Sequence, residues 1–150
     1  MPKNDEIDRR ILRELQRQAR LTNVELAERV GLSPSACLRR VQELERAGVI
    51  SGYHARVDPL AGGAGFIAYV TVALSSHSKE NLEAFERAVA GAPQVVECHN
   101  ITGATSYLLR VEVAGLQQYK KFHTETLAAV PGVAQITTHV LLATTKTRFD

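Results

Sequence analysis

Apolar positions follow a spacing of three to four residues up to about residue 50, and a mixture of spacings after about residue 65. In the first stretch Ile7, Ile11, Leu12 and Leu15 share one side of a 3.6-residue period, which predicts a helix from about Asp5 to Gln18. A second helix opens at "TNVE". Thr22 is placed to cap it, and Glu25, three residues later, completes a capping box. Val24, Ala27 and Val30 form its expected inner stripe, and Gly31 comes next, where a left-handed residue ends a helix. Ser33 then caps a third helix with Pro34 at its first position, running to about Ala47 before Gly48. Two short helices joined by a turn of about three residues around Gly31 carry the helix-turn-helix signature, with Leu32 plugging the junction. On the third helix Cys37, Leu38, Val41 and Leu44 group on one side, and Ser35, Arg39, Gln42, Glu43 and Arg46 on the other.

From Val49 to Val57 the chain is rich in strand formers, and Pro59, Gly62, Gly63 and Gly65 then read as a linker. Beyond the linker the apolar positions switch repeatedly between periods of two and 3.6. Strands are expected over 66–74, 94–102, 106–114 and 133–145, and helices over 79–91 and 117–130, in the order βαββαβ. Leu82, Phe85 and Val89 on one helix and Tyr119, Phe122 and Leu127 on the other point inward. An internal echo, "AVAGAPQV" against "TLAAVPGV", aligns Pro93 with Pro131 and Val95 with Val133. The expected fold class is therefore α+β: an N-terminal winged helix-turn-helix over 1–50, a hinge strand and linker over 51–65, and a ferredoxin-like βαββαβ sandwich over 66–150. With both helices on one face, the other face of the sheet, expected to show Tyr69, Val111 and Leu142, should be covered by a second copy in a homodimer.

Charge changes this picture little. The net charge is +2, and residues 1–60 hold 11 Lys/Arg against 9 Asp/Glu while the remainder balances at 7 of each. The arginines do cluster, at Arg9, Arg10 and Arg13 and again at Arg39, Arg40 and Arg46, as a DNA-binding first third would have them. No apolar run approaches the roughly 18 residues of a membrane span, and the polar start is unlike a secretory signal, so a cytoplasmic location is expected. Cys37 and Cys98 lie 61 positions apart and are expected as reduced, core-packing thiols. His54, His77, His99, His123 and His139 have no second ligand at metal spacing within one helix. No phosphate loop, nucleophile elbow or dinucleotide fingerprint is present, so neither an enzyme nor a cofactor is expected.

Three motifs in order, "EIDRRILRELQRQARLTNVELAERVGLSPSACLRRVQELERAGVISGY", "ECHNITG…YLLRV" and "ETLAAVPGV", resemble the Lrp/AsnC (leucine-responsive/asparagine-operon, feast/famine) transcriptional regulators over essentially the whole length. The resemblance implies a sequence-specific DNA-binding domain joined by a hinge strand, here about Gly52 to Val57, to an effector-sensing domain. It also implies dimers, often four of them in a disc, and an effector, usually an amino acid, that modulates assembly or DNA affinity.

On that reading the N-terminal half of the third helix enters the major groove. Ser35, Ala36 and Arg39 are the expected base-edge contacts, with Arg39 able to fork onto guanine. Arg40 is expected to clamp a phosphate, and the helix starts at Thr22, Asn23 and Ser33 to supply further phosphate contacts. In the family the loop after the second sensing-domain strand commonly reads Gly, acidic, any residue, acidic, aromatic. Here it is Gly103, Ala104, Thr105, Ser106, Tyr107, with both acids missing. Thr105 and Ser106 are expected to hydrogen-bond a ligand, with Thr137 and Thr138 as further candidates. The missing acids keep open an alternative, an effector-independent, nucleoid-type architectural DNA binder.

Overall fold

The computed structural model describes residues 5–147, and these divide into two compact units that meet in sequence between Arg56 and Val57. In the first unit each helix begins on a side chain that accepts an otherwise unpaired backbone N–H. Helix α1 (Glu6–Arg17) starts at Asp5, whose carboxylate accepts the Asp8 N–H at 2.9 Å. Helix α2 (Asn23–Val30) starts at Thr22 with both halves of the capping box made: Thr22 Oγ1 accepts the Glu25 N–H at 3.2 Å, and Glu25 accepts the Thr22 N–H at 2.8 Å. Helix α3 (Pro34–Arg46) starts at Ser33, whose hydroxyl accepts the Ala36 N–H. Between α2 and α3, Gly31 adopts φ 75°, a left-handed conformation that a side chain would strain. Leu32 then returns its N–H to the Ala27 carbonyl at 2.9 Å.

Ile11, Leu26, Ala27, Val30, Cys37 and Leu44 form this unit's buried core. Two positions expected to face inward do not: Val24 is 53% exposed and Leu38 46%. The helical period explains both. Leu26, Ala27 and Val30 fit an arc of about 100°, and Val24 lies about 110° from its centre; Leu38 lies about the same angle from the Cys37–Leu44 line on α3. The strand expected over Val49–Val57 is absent. Ser51–Val57 takes no regular secondary structure and pairs with no strand among the described residues.

The second unit is a four-stranded antiparallel sheet in the order β2-β3-β1-β4, with β1 Phe66–Leu74, β2 Val95–Asn100, β3 Tyr107–Val113 and β4 Val133–Val140. Helix α4 (Lys79–Ala90) and helix α5 (Leu116–Phe122), which continues as a π-helical turn over His123–Leu127, complete the ferredoxin-like βαββαβ order. Alternation in the strands decides what each face carries. Ala68, Val70, Val72 and Leu74 of β1 and Tyr107, Leu109, Val111 and Val113 of β3 are buried beneath the helices with Phe85, Val89, Tyr119, Phe122 and Leu127. Tyr69 falls on the helix-free face as expected, but Val111 does not, and Leu142 lies outside the sheet, 95% exposed. Strand β4 stops at Val140 rather than running to 145, because its neighbour β1 begins near Ile67, which accepts the last bond from the Leu141 N–H. Cys98 is exposed, unlike the buried Cys37. Gly65, expected only as linker, has a packing reason: a Cβ there would sit 2.4 Å from the Ala114 carbonyl oxygen.

Phe85 is fully buried, with its ring 4.5 Å from that of Tyr107. Phe85→Ala should destabilise the sheet unit by about 3–5 kcal/mol, read as a lower urea midpoint of the full-length chain. An unchanged midpoint would contradict the placement of this ring at the centre of the core.

Candidate nucleic-acid interface and sensing loop

The caps and the Gly31 turn present α3 with one side docked and the other free. Ser35 and Arg39 are exposed on the free side and Ala36 is half-buried beside them. Among the described residues Arg39 makes no hydrogen bond or ion pair, so its five guanidinium donors all remain available. Ser35 Oγ lies 3.3 Å from Ser33 Oγ, which ties it to the cap at the entry of the helix.

The other expected DNA contacts are engaged within the unit. Thr22 is held in its capping box. Asn23 Nδ2 donates to the Pro34 carbonyl at 2.7 Å, joining the start of α2 to the start of α3. Arg40, expected to clamp phosphate, donates from a single nitrogen, Nη1, to Asp5 Oδ2 at 2.8 Å and Asp8 Oδ1 at 2.9 Å. Its side chain is 26% exposed and that of Asp8 17%. The reason is geometric: Arg40 lies about 50° from the docked line of α3, whereas Arg39 lies about 150° from it. A second brace joins α1 and α2. Arg10 donates to the Arg29 carbonyl at 3.0 Å, and Arg29 to Glu14 at 3.1 Å. Spacing along the chain pointed to neither brace, although the angular position of Arg40 already set it apart from Arg39.

These contacts shift the ionisable groups. The Asp8 backbone N–H and then the Arg40 guanidinium hold the Asp5 carboxyl below its ordinary value. The Thr22 backbone N–H and then its hydroxyl do the same for Glu25. Asp8 and then Asp5 raise Arg40.

In the second unit the loop between β2 and β3 is closed by two bonds, from the Ile101 N–H to the Ser106 carbonyl and from the Ser106 N–H to the Val72 carbonyl. Gly103, Ala104 and Thr105 form its rim, with Gly103 at φ 121°. Ser106 and Tyr107 point inward. The Ser106 hydroxyl is buried, accepts the Leu74 N–H at 3.2 Å and lies 2.9 Å from His77 Nε2. Tyr107 donates to Glu86 at 2.8 Å, and burial followed by that carboxylate pushes its phenol up to about 12. Thr138 pairs with the Tyr119 hydroxyl beneath the helices, while Thr137 lies across from Thr71 on the helix-free face. The seven expected effector residues are thus split between the loop rim and two faces of one sheet.

Residues 4–51 match the winged helix-turn-helix DNA-binding model, and residues 67–150 the Lrp/AsnC ligand binding domain. The chain belongs to the Lrp/AsnC family of transcriptional regulators. It is 42% identical over 142 residues to the leucine-responsive regulatory proteins of Escherichia coli K12 and Salmonella typhimurium, covering 95% of this chain and 87% of theirs. A transcriptional regulator from Neisseria meningitidis, solved with L-methionine, matches with a TM-score of 0.90 and 38% identity over 95% of this chain and 92% of that one. An AsnC family regulator from Agrobacterium tumefaciens matches with a TM-score of 0.87 and 34% identity over 95% and 93%. This Lrp/AsnC regulator accordingly has a DNA-binding helix-turn-helix domain and, after it, a ligand-binding domain, and the relatives it matches are transcriptional regulators rather than enzymes. No described helix is long and apolar enough to cross a membrane.

The lowered carboxyls of Asp5 and Glu25 give a pH dependence. Both release their protons more readily folded than unfolded, so their stabilisation is present above the ordinary carboxylate range and is lost as pH falls through and below it. Acid titration of the full chain, monitored by circular dichroism, should show helix content falling below about pH 4. Asp5→Asn and Glu25→Gln should each flatten that fall; an unaltered acid limb in both would contradict the assignment.

Proposed function

We propose that this Lrp/AsnC regulator reads DNA with the outward side of α3, and that a small molecule of the amino-acid class, acting on the second domain, modulates its assembly or its affinity for DNA. The observation that carries the DNA reading is Arg39, unpartnered among the described residues, in the middle of that outward side. Its planar fork suits the two acceptors of a guanine edge, with Ser35 and Ala36 touching neighbouring bases. Backbone N–H groups at the helix starts near Thr22, Asn23 and Ser33 contact phosphates, which fixes register without reading sequence.

The effector reading rests on the fold shared with the Neisseria regulator that binds L-methionine. Without acids at positions 104 and 106, the loop rim offers N–H groups and the Thr105 hydroxyl, which suit a ligand carboxylate better than an ammonium. The same absence favours a second reading, an architectural DNA binder with no effector. The working unit we propose is a homodimer, and by family habit a tetramer of dimers, packed through the helix-free sheet face. There Ile67, Tyr69 and Leu108 lie half-buried on the face opposite the two helices of this unit.

Arg39→Ala should weaken binding to a selected duplex by about 1–3 kcal/mol and relax preference at one base pair, measured by fluorescence anisotropy. Unchanged affinity would remove Arg39 from the interface. Thermal-shift screening against the twenty amino acids and their 2-oxo acids should raise the melting temperature for at least one ligand, and sedimentation should give a multiple of the 16.4 kDa chain mass. No shift with any compound would favour the architectural reading, and a monomeric mass would remove the dimer.

A further inference from the structure

We propose that Arg40, held between Asp5 and Asp8, is the positioning residue of DNA recognition: it sets the rotation of α3 about its own axis and so aims Arg39 and Ser35, without touching DNA itself. This rests on the reading of α3 as the DNA-reading helix. One guanidinium nitrogen reaches both carboxylates, at 2.8 and 2.9 Å. Asp5 divides its two oxygens, Oδ1 capping α1 through the Asp8 N–H and Oδ2 accepting from Arg40. The start of α1 and the middle of α3 are therefore joined through one cation.

The two helices also pack through the apolar core around Ile11, Cys37 and Leu44. Apolar contact favours burial without specifying direction, so a helix seated on it retains freedom to roll by a few degrees. Charge-assisted hydrogen bonds are directional and short, and they remove that freedom. Arg39 is adjacent to Arg40 along the helix, so a roll of α3 displaces its guanidinium through the full length of the side chain, and a bidentate base contact tolerates little displacement.

A phosphate contact by Arg40 would have to use Nε or Nη2, because Nη1 spends its two N–H groups on Asp5 and the 17%-exposed Asp8, and it would bring the phosphate beside those two carboxylates. Positioning and phosphate clamping therefore predict opposite effects at Asp8. Removing a negative charge near DNA strengthens binding by simple electrostatics, whereas removing an aiming contact weakens it.

The test uses the full chain with a duplex recovered by in vitro selection with the unaltered protein, and a scrambled duplex of equal length and composition. Anisotropy titrations over a range of salt would compare Arg40→Gln, Arg40→Lys, Asp8→Asn and the Arg40→Gln/Asp8→Asn double variant. Arg40→Gln and Asp8→Asn should each lower affinity for the selected duplex by about tenfold, leave the scrambled duplex within about twofold, and keep the salt slope. The double variant should be no weaker than either single one, and Arg40→Lys should recover part of the loss. If Arg40→Gln fails to fold, Asp8→Asn and Arg40→Lys carry the same comparison. The proposal is overturned if Arg40→Gln weakens both duplexes alike and lowers the salt slope by about one, if Asp8→Asn tightens binding, or if no variant alters the selected-to-scrambled ratio. Insensitivity of the selected duplex to Arg39→Ala would instead remove the reading of α3 on which the proposal stands.

Discussion

A helix can offer one side to DNA only if the opposite side is sealed, and in this protein the seal is the burial of Cys37 and Leu44 of α3 against Ile11, Leu26, Ala27 and Val30. The proposed role of α3 as the reading helix depends on it. The left-handed Gly31 brings α3 back across α2, the Ser33 cap starts it, and Arg39, far from the sealed line, has no partner among the described residues. A polar group at Cys37 would be buried without partners and would cost more than a lost contact elsewhere on the helix. The thiol is well suited to the place: small, weakly polar and, through burial, raised in pKa and so kept protonated.

The ligand-binding domain is governed by a different constraint, the one-sidedness of its sheet. Both helices cover the same face, so every second residue of β1 and β3 is buried while its neighbours stay half-covered. The uncovered face is more polar than alternation alone suggests. Arg110 pairs with Glu112 at 2.7 Å and approaches the Tyr69 hydroxyl, so its charge is balanced within the face. Such a face suits an interface with satisfied hydrogen bonds better than a bare hydrophobic one.

The local features are legible from residues alone because their causes are local. Strand β1 over 66–74, the Thr22–Glu25 capping box, the Gly31 turn and the Ser33-Pro34 entry all depend on residues close to one another in the chain. The inward set Phe85, Val89, Tyr119, Phe122 and Leu127 comes from period alone. Where expectation and structure part, the cause is not local. Val24 and Leu38 are apolar but lie about 110° from the buried line of their helices, outside the arc that neighbouring helices cover. Strands expected over 49–57 and 141–145 have the right composition but pair with no strand among the described residues. Val111 lies beneath the helices rather than on the free face because its phase relative to them depends on the register with β1.

Periodicity, caps and turn residues act over a few positions, and they suffice to read the element order and the outward side of α3 from the chain alone, while the family comes from the resemblance of three longer motifs. Which charges are free is settled only by folding. Arg39 and Arg40 are adjacent and chemically identical, yet one is unpartnered among the described residues and the other is held by two aspartates some 32 to 35 positions away. Likewise Ser106 and Tyr107 are expected from the sequence as effector contacts, and the fold turns both inward, to the Leu74 N–H and to Glu86. Ionic and hydrogen-bonding partners are chosen by distance in space, to which spacing along the chain is a poor guide.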